Sequence, residues 1–114
     1  MIEKNGVKLF GYFKGMVYTK YKNKDLEEDF EKYKTFKNAI SKQKIIEHIE
    51  KDCIMGVSPM QSLDIFTGED LTAGQYKDGP FRFPTDFLHY LKKYDIGIPY
   101  EYEEYLSGIL QRNE

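Results

Sequence analysis

The side chains able to do chemistry are few and scattered. They are two histidines, His48 and His89, one cysteine, Cys53, and four carboxylates set among glycines, Asp64, Glu69, Asp70 and Asp78. Two imidazoles with a carboxylate could run general acid–base hydrolysis, for instance of RNA. Cys53 with His89 and an aspartate could form a thiol nucleophile and its base. The four carboxylates could hold a hard cation such as Mg²⁺. Each group also has a plainer reading. His48 flanks the stripe Ile45, Ile46 and Ile49, and His89 sits beside Leu88 and Tyr90, so both fall at the rims of helix–core contacts. Cys53 ends the same stripe, and a lone buried cysteine behaves as a small hydrophobe. The carboxylates lack the regular spacing and terminal Glu of a calcium loop, and aspartates in turns serve the backbone. Neither a phosphate-binding glycine loop nor H-E-x-x-H can be written anywhere. One cysteine allows no intramolecular disulfide and no cysteine-based zinc set. The sequence therefore predicts no catalytic residue, no metal site, no cofactor and no enzyme.

The elements that would position these residues follow from pattern. Val7–Phe13 and Met16–Tyr21, split by Lys14-Gly15, are rich in β-branched and aromatic residues and predict a hairpin. Asp25-Leu26-Glu27-Glu28 has the form of a capping box, which predicts a helix from there to about Asn38. Ser41 can cap a second helix carrying the Ile45–Cys53 stripe. Ser62–Thr67 reads as a strand, Gly68-Glu69-Asp70 as a turn, and Phe81–Phe83 as a short strand. Asp86–Tyr94 predicts a helix, and Glu101, Glu103 and Glu104 suit the first turn of a last one, with Tyr102, Leu106, Ile109 and Leu110 inward. The order β-β-α-α-β-β-α-α over residues 1–114 predicts one α+β domain, an antiparallel sheet of two hairpins packed against about four helices. A chain of 114 residues suits one core. Ten Tyr and eight Phe argue against disorder. The opening residues lack a signal-peptide apolar run, and no stretch approaches the ~20 apolar residues of a membrane span. Cytoplasmic location with no membrane contact is the expectation.

Two constellations suit binding. The charge is +3 through Cys53 and −5 beyond it, for a net −2. In the basic half, Lys8, Lys14, Lys20 and Lys22 interleave with Tyr18 and Tyr21, an alternative nucleic-acid face in which lysines meet phosphates and aromatics stack on bases. In the acidic half, Tyr94, Asp95, Tyr100, Glu101, Glu103, Glu104 and Tyr105 combine contact area with negative charge and suit a basic protein partner. Two blocks, Asp64–Glu69 and Tyr94–Pro99, have the look of a signature. In general character, small, acidic, tyrosine-rich and without catalytic motifs, the chain resembles bacterial immunity proteins and phage-encoded inhibitors. That resemblance implies a protein that binds and blocks a cationic partner such as a toxin or nuclease.

Overall fold

Asn5 and Gly6 take left-handed backbone angles, φ 53° and 79°. They turn the chain from β1 (Ile2–Lys4) into an antiparallel β2 (Val7–Leu9). Asn-Gly suits this two-residue hairpin turn because both positions tolerate positive φ. The first hairpin therefore lies earlier than its aromatic residues suggest. Phe10, Tyr12 and Phe13 leave the sheet for the core, and Gly11, at φ 80°, makes the bend. The would-be second arm is instead a short helix, α1 (Val17–Tyr21). The computed structural model describes residues 1–21 and 24–112.

The helix expected from Asp25 is broken. A 3₁₀ turn covers Lys24–Leu26, and α2 is only Phe30–Tyr33, capped by Asp29, whose side chain accepts from the Glu31 N–H at 3.0 Å. Glu28 is used elsewhere: its carboxylate accepts from the Gly11 N–H and the Tyr33 hydroxyl, both at 2.7 Å. Ser41 caps α3 (Lys42–Asp52) as expected, and Ile45 and Ile49 are buried.

Two long strands follow, β3 (Ile54–Leu63) and β4 (Asp70–Asp78), then β5 (Phe81–Pro84), α4 (Asp86–Lys93) and α5 (Tyr100–Arg112). The five strands run β1-β2-β5-β4-β3. This is an α+β domain in which hairpins β1/β2 and β3/β4 are antiparallel, and β2 meets β5 in parallel. Residues 64–67, expected to be a strand, form the turn between β3 and β4 instead. β4 escaped notice because Asp70, Gly74, Lys77 and Asp78 are poor strand formers.

The core is aromatic. Phe10 contacts Phe81, Phe83, Phe87 and Tyr102, and Phe13 contacts Phe30, Tyr33, Phe87 and Tyr90. Rings at these separations add to simple area burial through edge-to-face and offset geometry. The sheet depends on one glycine. A Cβ on Gly74 would overlap the carbonyl oxygen of Gly56 and stand 3.1 Å from the Val57 Cα. Both obstacles are backbone, so Gly74→Ala should force β3 and β4 apart and cost about 3 kcal/mol. Urea unfolding of the variant checks this, and a loss below half that figure would mean the ladder adapts.

Candidate functional site

Each histidine takes an aspartate of its own. His48 projects from α3 towards the end of β4, where its Nε2 lies 2.8 Å from Asp78 Oδ2. The Tyr102 hydroxyl, from α5, donates to the same oxygen at 2.6 Å. Cys53, which caps the C-terminus of α3, puts Sγ 4.0 Å from that hydroxyl. On the other side of the ring, Asp52 Oδ2 is 3.3 Å from Nδ1, without the alignment of a hydrogen bond. The hydrogen bond to Asp78 raises the pKa of His48 against the opposing effect of burial. Burial alone would raise that of Asp78, but His48 and Tyr102 outweigh it and hold it below the ordinary carboxylate value. Both directions favour an imidazolium–carboxylate pair. Burial, with Asp78 adding to it, pushes the Cys53 thiol up to about 12. A thiol so protonated at neutral pH is a poor nucleophile.

Asp64 organises the second centre. It follows β3 directly, and its Oδ1 accepts from the N–H groups of Phe66 (2.7 Å) and Thr67 (3.1 Å), closing the turn. His89 Nε2 lies 2.7 Å from Oδ2, and the Tyr94 hydroxyl donates to the same oxygen at 2.8 Å. Burial opposes ionisation, yet the His89, Phe66, Tyr94 and Thr67 bonds prevail and hold the Asp64 pKa at about 2. The two blocks that stand out in the sequence are therefore one structure, joined by the Tyr94–Asp64 bond. The Cys53–His89 pairing does not form, since Cys53 lies with His48. The grouping of Asp64, Glu69, Asp70 and Asp78 around one cation does not form either, because Asp64 and Asp78 serve different histidines.

A third buried carboxylate, Asp86 at the start of α4, accepts from the Tyr18 hydroxyl at 2.6 Å and from the Ser62 hydroxyl. Tyr18 in turn accepts from the Gly74 N–H at 2.9 Å. Tyr18 is thus committed to the interior and cannot stack on a base from the expected nucleic-acid face. Lys8 of that face pairs with Glu101 at 3.0 Å, and Lys14 and Lys20 are exposed. Tyr21 ends α1, and Lys22 lies outside the described residues.

Much of the acidic tyrosine-rich set is also used internally. Glu103 accepts from the N–H groups of Ala39 (2.6 Å) and Ile40 (3.0 Å) and so ties α5 to the loop before α3. Tyr94 is held by Asp64, and Tyr105 packs on Phe81 and Tyr102. The Tyr100 hydroxyl accepts from the Lys37 N–H at 3.1 Å, although the side chain is half exposed. Asp95, Glu101 and Glu104 remain at the surface.

A surface the sequence reading passed over is β3 itself. It is an edge strand, and Ile54, Met55 and Val57 are 71 %, 52 % and 66 % exposed. The register moves from Val57↔Gly74 to Gln61↔Thr72, so Ser58, Pro59 and Met60 bulge against Ala73. Beside the bulge lies an open hollow of about 250 Å³, lined by Tyr12, Tyr18, Val57, Met60 and Gln75 among others. The run Ile54–Leu63 holds no charged residue. That absence, beside the punctuation at Gly56 and Pro59, was the available signal.

No described helix is long and apolar enough to cross a membrane. No family model, curated protein or solved structure matches the chain.

Proposed function

We propose that this chain is a binding protein of the immunity or inhibitor kind, and that β3 is the strand it offers to its partner. The observation that carries the reading is the uncharged outer strand with four exposed apolar side chains, Ile54, Met55, Val57 and Leu63. Edge strands are usually blunted by charges, proline or bulges, because their free N–H and C=O groups template further pairing. Here Pro59 and the bulge blunt the middle, and Ile54–Val57 is left as a short free template. An extended segment of a partner protein can add there, with main-chain bonds supplying affinity and the hollow beside Val57 taking a side chain. Two of the three buried carboxylates, Asp64 and Asp86, support a binding role too, since each is spent on holding elements together rather than facing a cleft. The acidic balance of residues 54–114 favours a basic partner, with exposed Asp70, Asp95 and Glu104 contributing to long-range attraction.

The test uses the partner recovered from the native host on tagged full-length chain. Ile54→Lys combined with Val57→Lys should weaken binding by about a hundredfold or more, as expected for two central contacts. The unfolding midpoint should stay put, because both side chains are exposed. Undiminished affinity in the double variant would remove β3 as the contact surface.

A further inference from the structure

The side chains gathered where α3, β4 and α5 meet play no part in the proposed partner surface. We propose that Nε2 of His48, Sγ of Cys53 and a carboxylate oxygen of Asp78 form a three-ligand site for a borderline divalent metal ion of the zinc class. Their donor atoms all lie within 4.8 Å of one another. In a tetrahedral site with metal–ligand distances of 2.0–2.3 Å, neighbouring donors stand roughly 3.3–3.7 Å apart. Accepting an ion therefore needs the 2.8 Å His48–Asp78 contact to open by about half an ångström, and a donor pair near the 4.8 Å limit to close by about 1 Å.

The donor set points to the class of ion. Nitrogen, thiolate and carboxylate together suit Zn²⁺ or Co²⁺ and not Mg²⁺ or Ca²⁺, which take oxygen ligands. The charges balance: one thiolate and one carboxylate neutralise a divalent ion in a place where net charge is costly. His48 is 5 % and Asp78 8 % exposed, so the ion would be shielded, with Cys53 half-buried on the outer side.

Outer contacts are also in place. Nδ1 of His48 is buried and lacks a hydrogen bond, while Asp52 Oδ2 stands 3.3 Å away. Once Nε2 binds the metal, the ring keeps its proton on Nδ1 and turns it to Asp52, the carboxylate–histidine–metal relay of many zinc proteins. The Tyr102 hydroxyl, donating to Asp78, orients the second ligand. The fourth position is left to water. Binding displaces the thiol proton of Cys53 and the Nε2 proton of His48 to solvent, and nothing is oxidised or reduced. Affinity should accordingly rise with pH.

Cobalt(II) titrated into chelator-treated full-length protein tests this directly, because a thiolate–cobalt bond gives a charge-transfer absorption in the near ultraviolet. The expected result is a band that saturates at one equivalent, is displaced by zinc and is absent in Cys53→Ser. Asp52→Asn, a change at an exposed carboxylate, should lower affinity about tenfold or more. No band in the wild-type chain under excess cobalt would overturn the site. So would a band that survives Cys53→Ser, and unchanged affinity in His48→Gln would overturn His48 as the ligand.

Discussion

Asp64→Ala is expected to destabilise the fold by about 3 kcal/mol, in the range for breaking a buried charged contact. The carboxylate is 2 % exposed, and its removal strands two turn N–H groups, a tyrosine hydroxyl and an imidazole. The expected figure lies at the low end because His89 and the turn are partly open to water, which can replace some of these bonds. Asp64→Asn separates the charge from the shape. The amide oxygen can still accept from Phe66 and Thr67, so the turn should survive. What it loses is the ionised state, whose preference is the drop in pKa from 3.8 to about 2. A depressed carboxylate stabilises the fold above its unfolded pKa, and that contribution fades as pH falls through the folded value. The gap between wild type and Asp64→Asn should therefore be about 2 kcal/mol at neutral pH and shrink steadily below pH about 4. Urea unfolding at several pH values reads it. A gap that does not change with pH would show that the loss is geometric and that Asp64 is not held ionised.

How much of this could be read from the chain depends on the distance over which each signal acts. Local chemistry was legible where one side chain acts on its own neighbourhood. Ser41 caps α3, Asp86–Lys93 is helical, and Tyr102 and Leu106 face inward, all as spacing predicts. Asn5-Gly6 is the strongest short hairpin signal in the chain, but it went unread, because the aromatic run after it drew the strands to the wrong place. Those rings are rich in β-propensity for the same reason they are useful in a core, so the pattern of residues 10–13 cannot separate the two uses. The Asp25 capping box failed through competition. Glu28, its last member, bonds to Gly11 and Tyr33, contacts that only the folded chain supplies.

The site residues were partly legible for a similar reason. His48, His89, Cys53, Asp64 and Asp78 were singled out by type, but their partners lie 25–30 residues away for the two histidines. Which aspartate meets which histidine is set by the β4 register and the α3 and α4 packing, and no spacing rule carries that information. The glutamates mislead in the opposite direction. Glu101 and Glu103 look like a solvated first turn, yet one pairs with Lys8 and the other holds the 38–40 loop across more than sixty residues. A carboxylate in the first turn serves the helix dipole in either case, so the sequence shows no trace of the second task.

Asp78→Ala should carry the largest penalty of any single change, about 3–5 kcal/mol, because it leaves the buried His48 imidazolium with only the exposed, poorly aligned Asp52 as counter-charge and the Tyr102 hydroxyl without its acceptor. Metal-free protein is the proper material, so that loss of a ligand and loss of an ion pair are not confused. The pair also gives wild-type stability a two-sided pH profile. Asp78 is depressed, so its contribution is present above 3.8 and lost as pH falls through its folded value. His48 is raised, so its contribution is complete below 6.5 and lost as pH climbs through its own folded value. Stability should therefore hold level between these limits and decline on both sides. His48→Gln should abolish the alkaline decline while keeping the acid one in weakened form, since an amide donor still supports the carboxylate. The double change His48→Gln with Asp78→Asn should cost less than the two single losses combined, because each single change leaves the other partner unmatched and the double one does not. If His48→Gln declines above pH 6.5 as steeply as wild type, the alkaline limit belongs to another group and the pair is held by packing rather than by charge.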